Sequence, residues 1–114
     1  MNRISTHILD TTLGKPATSV PVRLDLLDAS GAWRKVSDQH TDSDGRCAQL
    51  LPNSETLTPG LYRLTFDTAS YFDAQEIRGF YPLVEITFQV RGGESHFHIP
   101  LLLNPHGYTT YRGS

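Results

Sequence analysis

Residues 94–103 read ESHFHIPLLL, and the alternation inside them sets the architecture. Successive side chains of a strand point to opposite faces. Phe97, Ile99, Leu101 and Leu103 therefore share one face, and His96 and His98 share the other. The first face is a core. The second carries two imidazoles two residues apart and calls for a use.

The same period of two recurs on either side of that stretch. In VEITFQV, Val84, Ile86, Phe88 and Val90 oppose Glu85, Thr87 and Gln89. In LYRLTFD, Tyr62, Leu64 and Phe66 oppose Arg63, Thr65 and Asp67, and in PVRLDLL, Val22, Leu24 and Leu26 oppose Arg23 and Asp25. This is the pattern of half-buried strands. Turn residues separate them at Asp28–Gly31, Asp42–Gly45, Pro59–Gly60 and Gly92–Gly93. Weaker strands are expected over residues 4–11, 33–40, 46–51 and 107–112. One segment departs from the pattern: TASYFDAQEIRG, with a cap at Thr68 or Ser70 and Gly79 as a stop, predicts a short helix over 69–77. The expected fold is all-β, an antiparallel β-sandwich of about eight strands with one short helix. It forms a single domain over residues 1–114, with no internal repeat or linker.

Composition narrows the function. The net charge is −2 with no basic run, which argues against nucleic acid or an anionic membrane as a partner. No segment is apolar enough for a secretion signal or a membrane span. The one cysteine, Cys47, has no intrachain disulfide partner and reads as a buried small hydrophobe, so a cytoplasmic protein is expected. The DSDG loop does not fit a calcium loop: aligning Gly45 with the loop's sixth position puts His40 first and Leu51 last, where a bidentate acid belongs. A tight turn that presents Arg46 is the better reading. His96 and His98 are spaced to reach one ion from a strand, but a zinc site wants further ligands. His7, His40 and His106 are scattered along the chain, so spacing neither supports nor excludes a metal. His7 is another imidazole in an apolar strand, beside Ile8 and Leu9. The last residues, YTTYRGS, run as an aromatic, β-prone segment where chain ends are usually polar and frayed. A terminus tied down beside a site would account for that.

Four stretches together, STHILDTTLGKPA (5–17), TDSDGR (41–46), HFHIPLLLNP (96–105) and YTTYRGS (108–114), resemble the 5-hydroxyisourate hydrolases of the transthyretin-like family. The likeness covers essentially the whole chain in order. Its most specific part is YRGS, which distinguishes the hydrolases from the hormone-carrying relative, transthyretin. One minor departure is His106, where an aromatic is common. The resemblance implies a transthyretin-like sandwich and a homotetramer whose dimers pair by edge strands and meet around a central channel. It also implies hydrolysis of 5-hydroxyisourate to 2-oxo-4-hydroxy-4-carboxy-5-ureidoimidazoline in urate degradation towards allantoin. The implied hydrolysis requires no metal or other cofactor. Carried over by position, His7, Arg46 and His98 form the catalytic set. Tyr111 and Ser114 join His7 and Arg46 in binding substrate, and His96 is an accessory position. The peroxisomal tripeptide of eukaryotic members is absent, in keeping with a bacterial-type cytoplasmic enzyme. The alternative is a carrier of small aromatic ligands, whose channel would be lined mainly by apolar groups.

Overall fold

The computed structural model describes residues 2–114. Nine strands and one helix follow in the order β1 (Arg3–Asp10), β2 (Lys15–Pro16), β3 (Pro21–Leu27), β4 (Trp33–His40), β5 (Arg46–Cys47), β6 (Gly60–Phe66), α1 (Thr68–Asp73), β7 (Val84–Val90), β8 (His96–Asn104) and β9 (Gly107–Thr110). They form two layers. One sheet runs β2-β1-β8-β9, with β5 also on β1; the other runs β4-β3-β6-β7. The core lies between the layers, where the alternating residues meet. Tyr62, Leu64 and Phe66 of β6 are fully enclosed, as are Ile4 and Ile8 of β1, and Phe97, Ile99, Leu101 and Leu103 of β8 are buried with them. Removing this apolar surface from water is the main force holding the layers together, roughly 1.5–3 kcal/mol for each large side chain fully buried.

Among the described residues every strand pairing is antiparallel except one. β1 and β8 run parallel, with Ser5 opposite His98 and His7 opposite Pro100. Two long, non-consecutive strands thus lie side by side, and the outward face of their sheet presents Ser5, His7 and His98 together. The core-facing half of the alternation holds best in the central strands. Ile86 and Phe88 on the edge strand β7 are only half-buried. Asp25 points outward as expected but is fully enclosed, because Arg23 (2.9 Å) and Arg63 (3.6 Å) close over its carboxylate. Long side chains can cover an outer-face group in this way.

The helix begins and ends earlier than the sequence suggests. Asp67 is its N-cap, its carboxylate accepting from the Ser70 amide at 3.0 Å and the Ser70 hydroxyl at 2.6 Å. The helix stops at Asp73, not at Gly79. The Ile77 amide reaches back to the Phe72 carbonyl and the Glu76 amide to Asp73, each at 3.0 Å, with Glu76 left-handed at φ 57°. That is a Schellman closure with glutamate where glycine is usual. Gly79 serves packing instead: a Cβ there would lie 2.8 Å from the Phe72 ring. The helix is fastened to β1 by the Tyr71 hydroxyl, which donates to buried Asp10 at 2.7 Å. Burial and that carboxylate push the Tyr71 phenol up to about 12. The strand expected over 46–51 shortens to Arg46–Cys47, and the one expected over 107–112 ends at Thr110.

Candidate active site

Arg46 is placed by turn chemistry. The Asp42 carboxylate accepts from the amides of Arg46 (3.0 Å) and Asp44 (2.9 Å), closing the loop on itself. Those amides, the Arg46 amide foremost, hold the Asp42 carboxyl below its usual value. Gly45 has φ 76°, and its carbonyl accepts from the Ile8 amide at 2.8 Å. A Cβ at Gly45 would stand 2.5 Å from the Ile8 carbonyl oxygen, so only glycine lets the turn come this close to β1. The contact sets the register that puts Arg46 opposite His7.

His98 is half-buried on the outer face of β8. Its Nδ1 lies 2.8 Å from the Ser5 hydroxyl, directly across the parallel ladder. Nε2 has no hydrogen-bond partner among the described residues. Burial lowers the imidazole's pKa below the ordinary 6.5, and the Arg46 and His7 charges lower it further. Desolvation and like charge both disfavour the protonated ring, so His98 is neutral near pH 7.

After β9 the ladder lapses at Tyr111 and Arg112 and then resumes along β8: Gly113 pairs antiparallel with His98 in the register that sets Thr110 opposite Leu101. Its amide donates to the His98 carbonyl at 2.8 Å, and at the end of β9 the Thr110 hydroxyl donates to the Pro100 carbonyl at 2.8 Å. A Cβ at Gly113 would sit 2.5 Å from His98 Cδ2 and 3.0 Å from Pro100 Cγ. Glycine is what lets this segment lie directly on His98.

Three adjoining clefts meet at His98; the third, about 300 Å³, lies on the far side of Tyr111 against Phe97 and Arg112, and the other two hold the residues of interest. One, about 250 Å³, is lined by His7, Arg46, His98, Tyr111 and Ser114, with Leu9, Pro100, Leu102 and Gly113. The other, about 370 Å³, shares Arg46, His98 and Ser114 and adds His96, Ser5 and Arg3. The five residues singled out from the sequence for catalysis and substrate binding thus meet in one cleft, drawn from β1, β5, β8 and the terminal segment. His96, the accessory position, lies in the neighbouring one. His40 and His106 are exposed and line neither cleft. Cys47 is buried, and its thiol is pushed up to about 11 by burial, which suits packing and not nucleophilic attack. Among the described residues no three His, Cys, Asp or Glu side chains are grouped to hold a metal ion. Sequence reasoning missed Ser5 and Gly113. The first is invisible without the parallel register. The second was legible only as a small residue inside the YRGS stretch.

The arrangement offers a neutral imidazole with one free nitrogen, a second imidazole and a guanidinium carried on a backbone fixed by its turn, around a solvent-open cleft. Those are the parts needed to activate water and stabilise oxyanion charge.

Residues 4–113 match the family model described as HIUase/Transthyretin family. The 5-hydroxyisourate hydrolase of Mus musculus is 44% identical, over 97% of this chain and 94% of its own. Among solved structures, the 5-hydroxyisourate hydrolase of Klebsiella pneumoniae superposes with a TM-score of 0.86 at 35% identity, covering all of both chains. Sea bream transthyretin in complex with thyroxine superposes with a TM-score of 0.90 at 32% identity, over 96% of this chain and 93% of that one.

Proposed function

The chain belongs to the HIUase/Transthyretin family, and we propose that it hydrolyses 5-hydroxyisourate in urate degradation. Hydrolases and a hormone carrier share the fold, so the fold alone does not choose between them. The cleft favours hydrolysis: His7, Arg46 and His98 converge beside Tyr111 and Ser114, whereas a carrier channel is mainly apolar. That convergence carries the reading.

In this scheme neutral His98 carries its proton on Nδ1, donating it to the Ser5 hydroxyl, and the unprotonated Nε2 takes a proton from water as the oxygen attacks a ring carbonyl. Arg46 holds the substrate's carbonyl oxygens and stabilises the oxyanion through its planar fork. The C–N bond then breaks, and the proton that His98 took from water passes to the departing nitrogen, directly or by way of His7 on the same cleft. Tyr111 and Ser114 wall the purine. The decisive experiment generates 5-hydroxyisourate from urate with urate oxidase and follows its ultraviolet absorbance. Decay faster than the spontaneous rate supports the reading, and an unchanged rate overturns it.

The lowered pKa of His98 fixes the sign of the pH dependence. A base must be neutral to act, so the acid limb of kcat/KM is expected to have its midpoint below 6.5. Folding stability follows the same direction. A histidine with a depressed folded pKa contributes fully above its unfolded value, and that contribution is lost as pH falls from there through the folded pKa. A limb centred above 6.5 would point to another base. Turnover is also expected to survive a strong chelator, since imidazole and guanidinium supply the chemistry. Loss on chelation with recovery on added zinc would overturn that scheme.

The same proposal includes a homotetramer in the cytoplasm. β7 and β9 are open edges of their sheets, and open edges invite pairing. Tyr108 on β9 and Phe80 and Tyr81 beside it are exposed, with Tyr81 and Tyr108 edge to face at 5.5 Å. Sedimentation at micromolar concentration is expected to show four chains. A monomer that retains full activity would contradict both the assembly and a site completed by it.

A further inference from the structure

Arg112 sits in the middle of the terminal YRGS and, from sequence, could be taken for a third cation aimed at substrate. Its geometry is different. Tyr111, Gly113 and Ser114 line the cleft with His7, and Arg112 does not. Its guanidinium turns the other way, over the Phe97 ring at 5.0 Å from the centroid. Nη1 donates to Glu94 Oε1 at 3.1 Å and Nη2 to the His96 carbonyl at 3.3 Å. One side chain therefore holds the start of β8 at three points: the loop before it, its backbone and the outer edge of the core.

We propose that Arg112, with Glu94 as its partner, is a positioning residue: a clip that fastens the terminal segment along β8 so that Gly113 and Ser114 are held against His98 and Arg46. The inference rests on the hydrolase reading above. On the strand side, the segment is already tied by Thr110 to Pro100. Beyond Tyr111, the Arg112 contacts and the Gly113 amide are the ties to β8 among the described residues. Releasing the clip leaves the last two residues held by a single backbone hydrogen bond, and they sample positions away from the cleft. Substrate then binds only the fraction of molecules with the wall in place, and apparent affinity falls by that fraction. Once bound, the substrate reassembles the wall, so the chemical step proceeds at its usual rate.

Exposed ion pairs and cation–π contacts are individually weak. Arg112 and Glu94 side chains are 58% and 42% exposed, so the expected effects are modest and distinctive in kind. Arg112→Gln is expected to raise KM about 5–10-fold with kcat within about twofold of the parent. Glu94→Gln should raise KM by about 2–3-fold. The exchanged pair, Arg112→Glu with Glu94→Arg, should recover part of the loss caused by Arg112→Glu alone, because the ion pair is restored while the Phe97 contact is not. Hydrogen exchange at the Gly113 amide, read without substrate, should speed up in Arg112→Gln. A fall in kcat at unchanged KM would place Arg112 on the reacting atoms and overturn the clip. So would a raised KM with no recovery in the exchanged pair, or unaltered Gly113 exchange. If the parent itself fails to turn over 5-hydroxyisourate, the hydrolase reading falls, and the exchange measurement still decides whether Arg112 fastens the segment.

Discussion

Replacing His98 with asparagine is expected to slow turnover of 5-hydroxyisourate by about 10²–10⁴-fold, the usual contribution of a positioned general acid–base group. At 1.36 kcal/mol per decade this is about 2.7–5.4 kcal/mol of transition-state stabilisation. The expectation rests on three features of the ring. Its Nδ1 is engaged by Ser5, which fixes the plane of the imidazole and leaves Nε2 for water. Its protonated form is disfavoured by burial, Arg46 and His7. Its backbone is held by β1 on one side and by the Gly113 amide on the other. Folding should persist, because His98 lies on the face opposite Phe97 and Ile99. His7→Asn should fall in the same range, and the two losses should be less than additive if the imidazoles act on one proton path. An unchanged rate in His98→Asn would show the wrong imidazole had been chosen. His96 would be the next to test, although it is exposed and lines only the larger cleft.

The layers of the sandwich were legible because burial imposes a period of two, which Tyr62, Leu64 and Phe66 follow in β6 and Phe97, Ile99 and Leu101 follow in β8, where Pro100 between them is buried as well. What alternation cannot state is which strand lies beside which. The parallel pairing of β1 with β8 joins residues over ninety positions apart, and no local chemistry marks it. The Ser5 contact to His98 follows from that register alone and was therefore missed. The helix end was misjudged for a different reason. Glycine is the usual left-handed residue at such a closure, so Gly79 drew the boundary, while Glu76 adopts that conformation at φ 57°. The two backbone hydrogen bonds of the closure hold it there. The candidate site was legible by another route. Spacing suggested only that His96 and His98 share a face. It was the resemblance that named His7, Arg46, Tyr111 and Ser114, and the fold brings these into one cleft with His98.

Arg46→Lys is expected to cost about 10²–10³-fold in turnover, the scale of removing one oxyanion donor. The substitution keeps the charge and loses the fork. Arg46 emerges from a turn whose backbone is fixed by Asp42 and by the close approach of Gly45 to Ile8, so the new ammonium would start from the same place. A lysine offers a point charge on a flexible stem, with no pair of parallel donors to meet two carbonyl oxygens of a planar purine. If Arg46 served only to attract an anion or to keep His98 neutral, lysine would do nearly as well. The size of the loss therefore separates planar recognition from bulk electrostatics. A second variant tests the wall. Deleting Tyr111 to Ser114 removes the side chains that close the cleft and the Gly113 hydrogen bond to His98, and should impair turnover on a similar scale. Sedimentation must accompany that measurement, because the deleted segment lies beside the open edge strand β9 and its loss could act through assembly. If Arg46→Lys and an assembled truncation both match the parent rate, the cleft is not the place where 5-hydroxyisourate is hydrolysed. A polar cleft of this shape would then serve only to bind, and the carrier reading would account better for the chain.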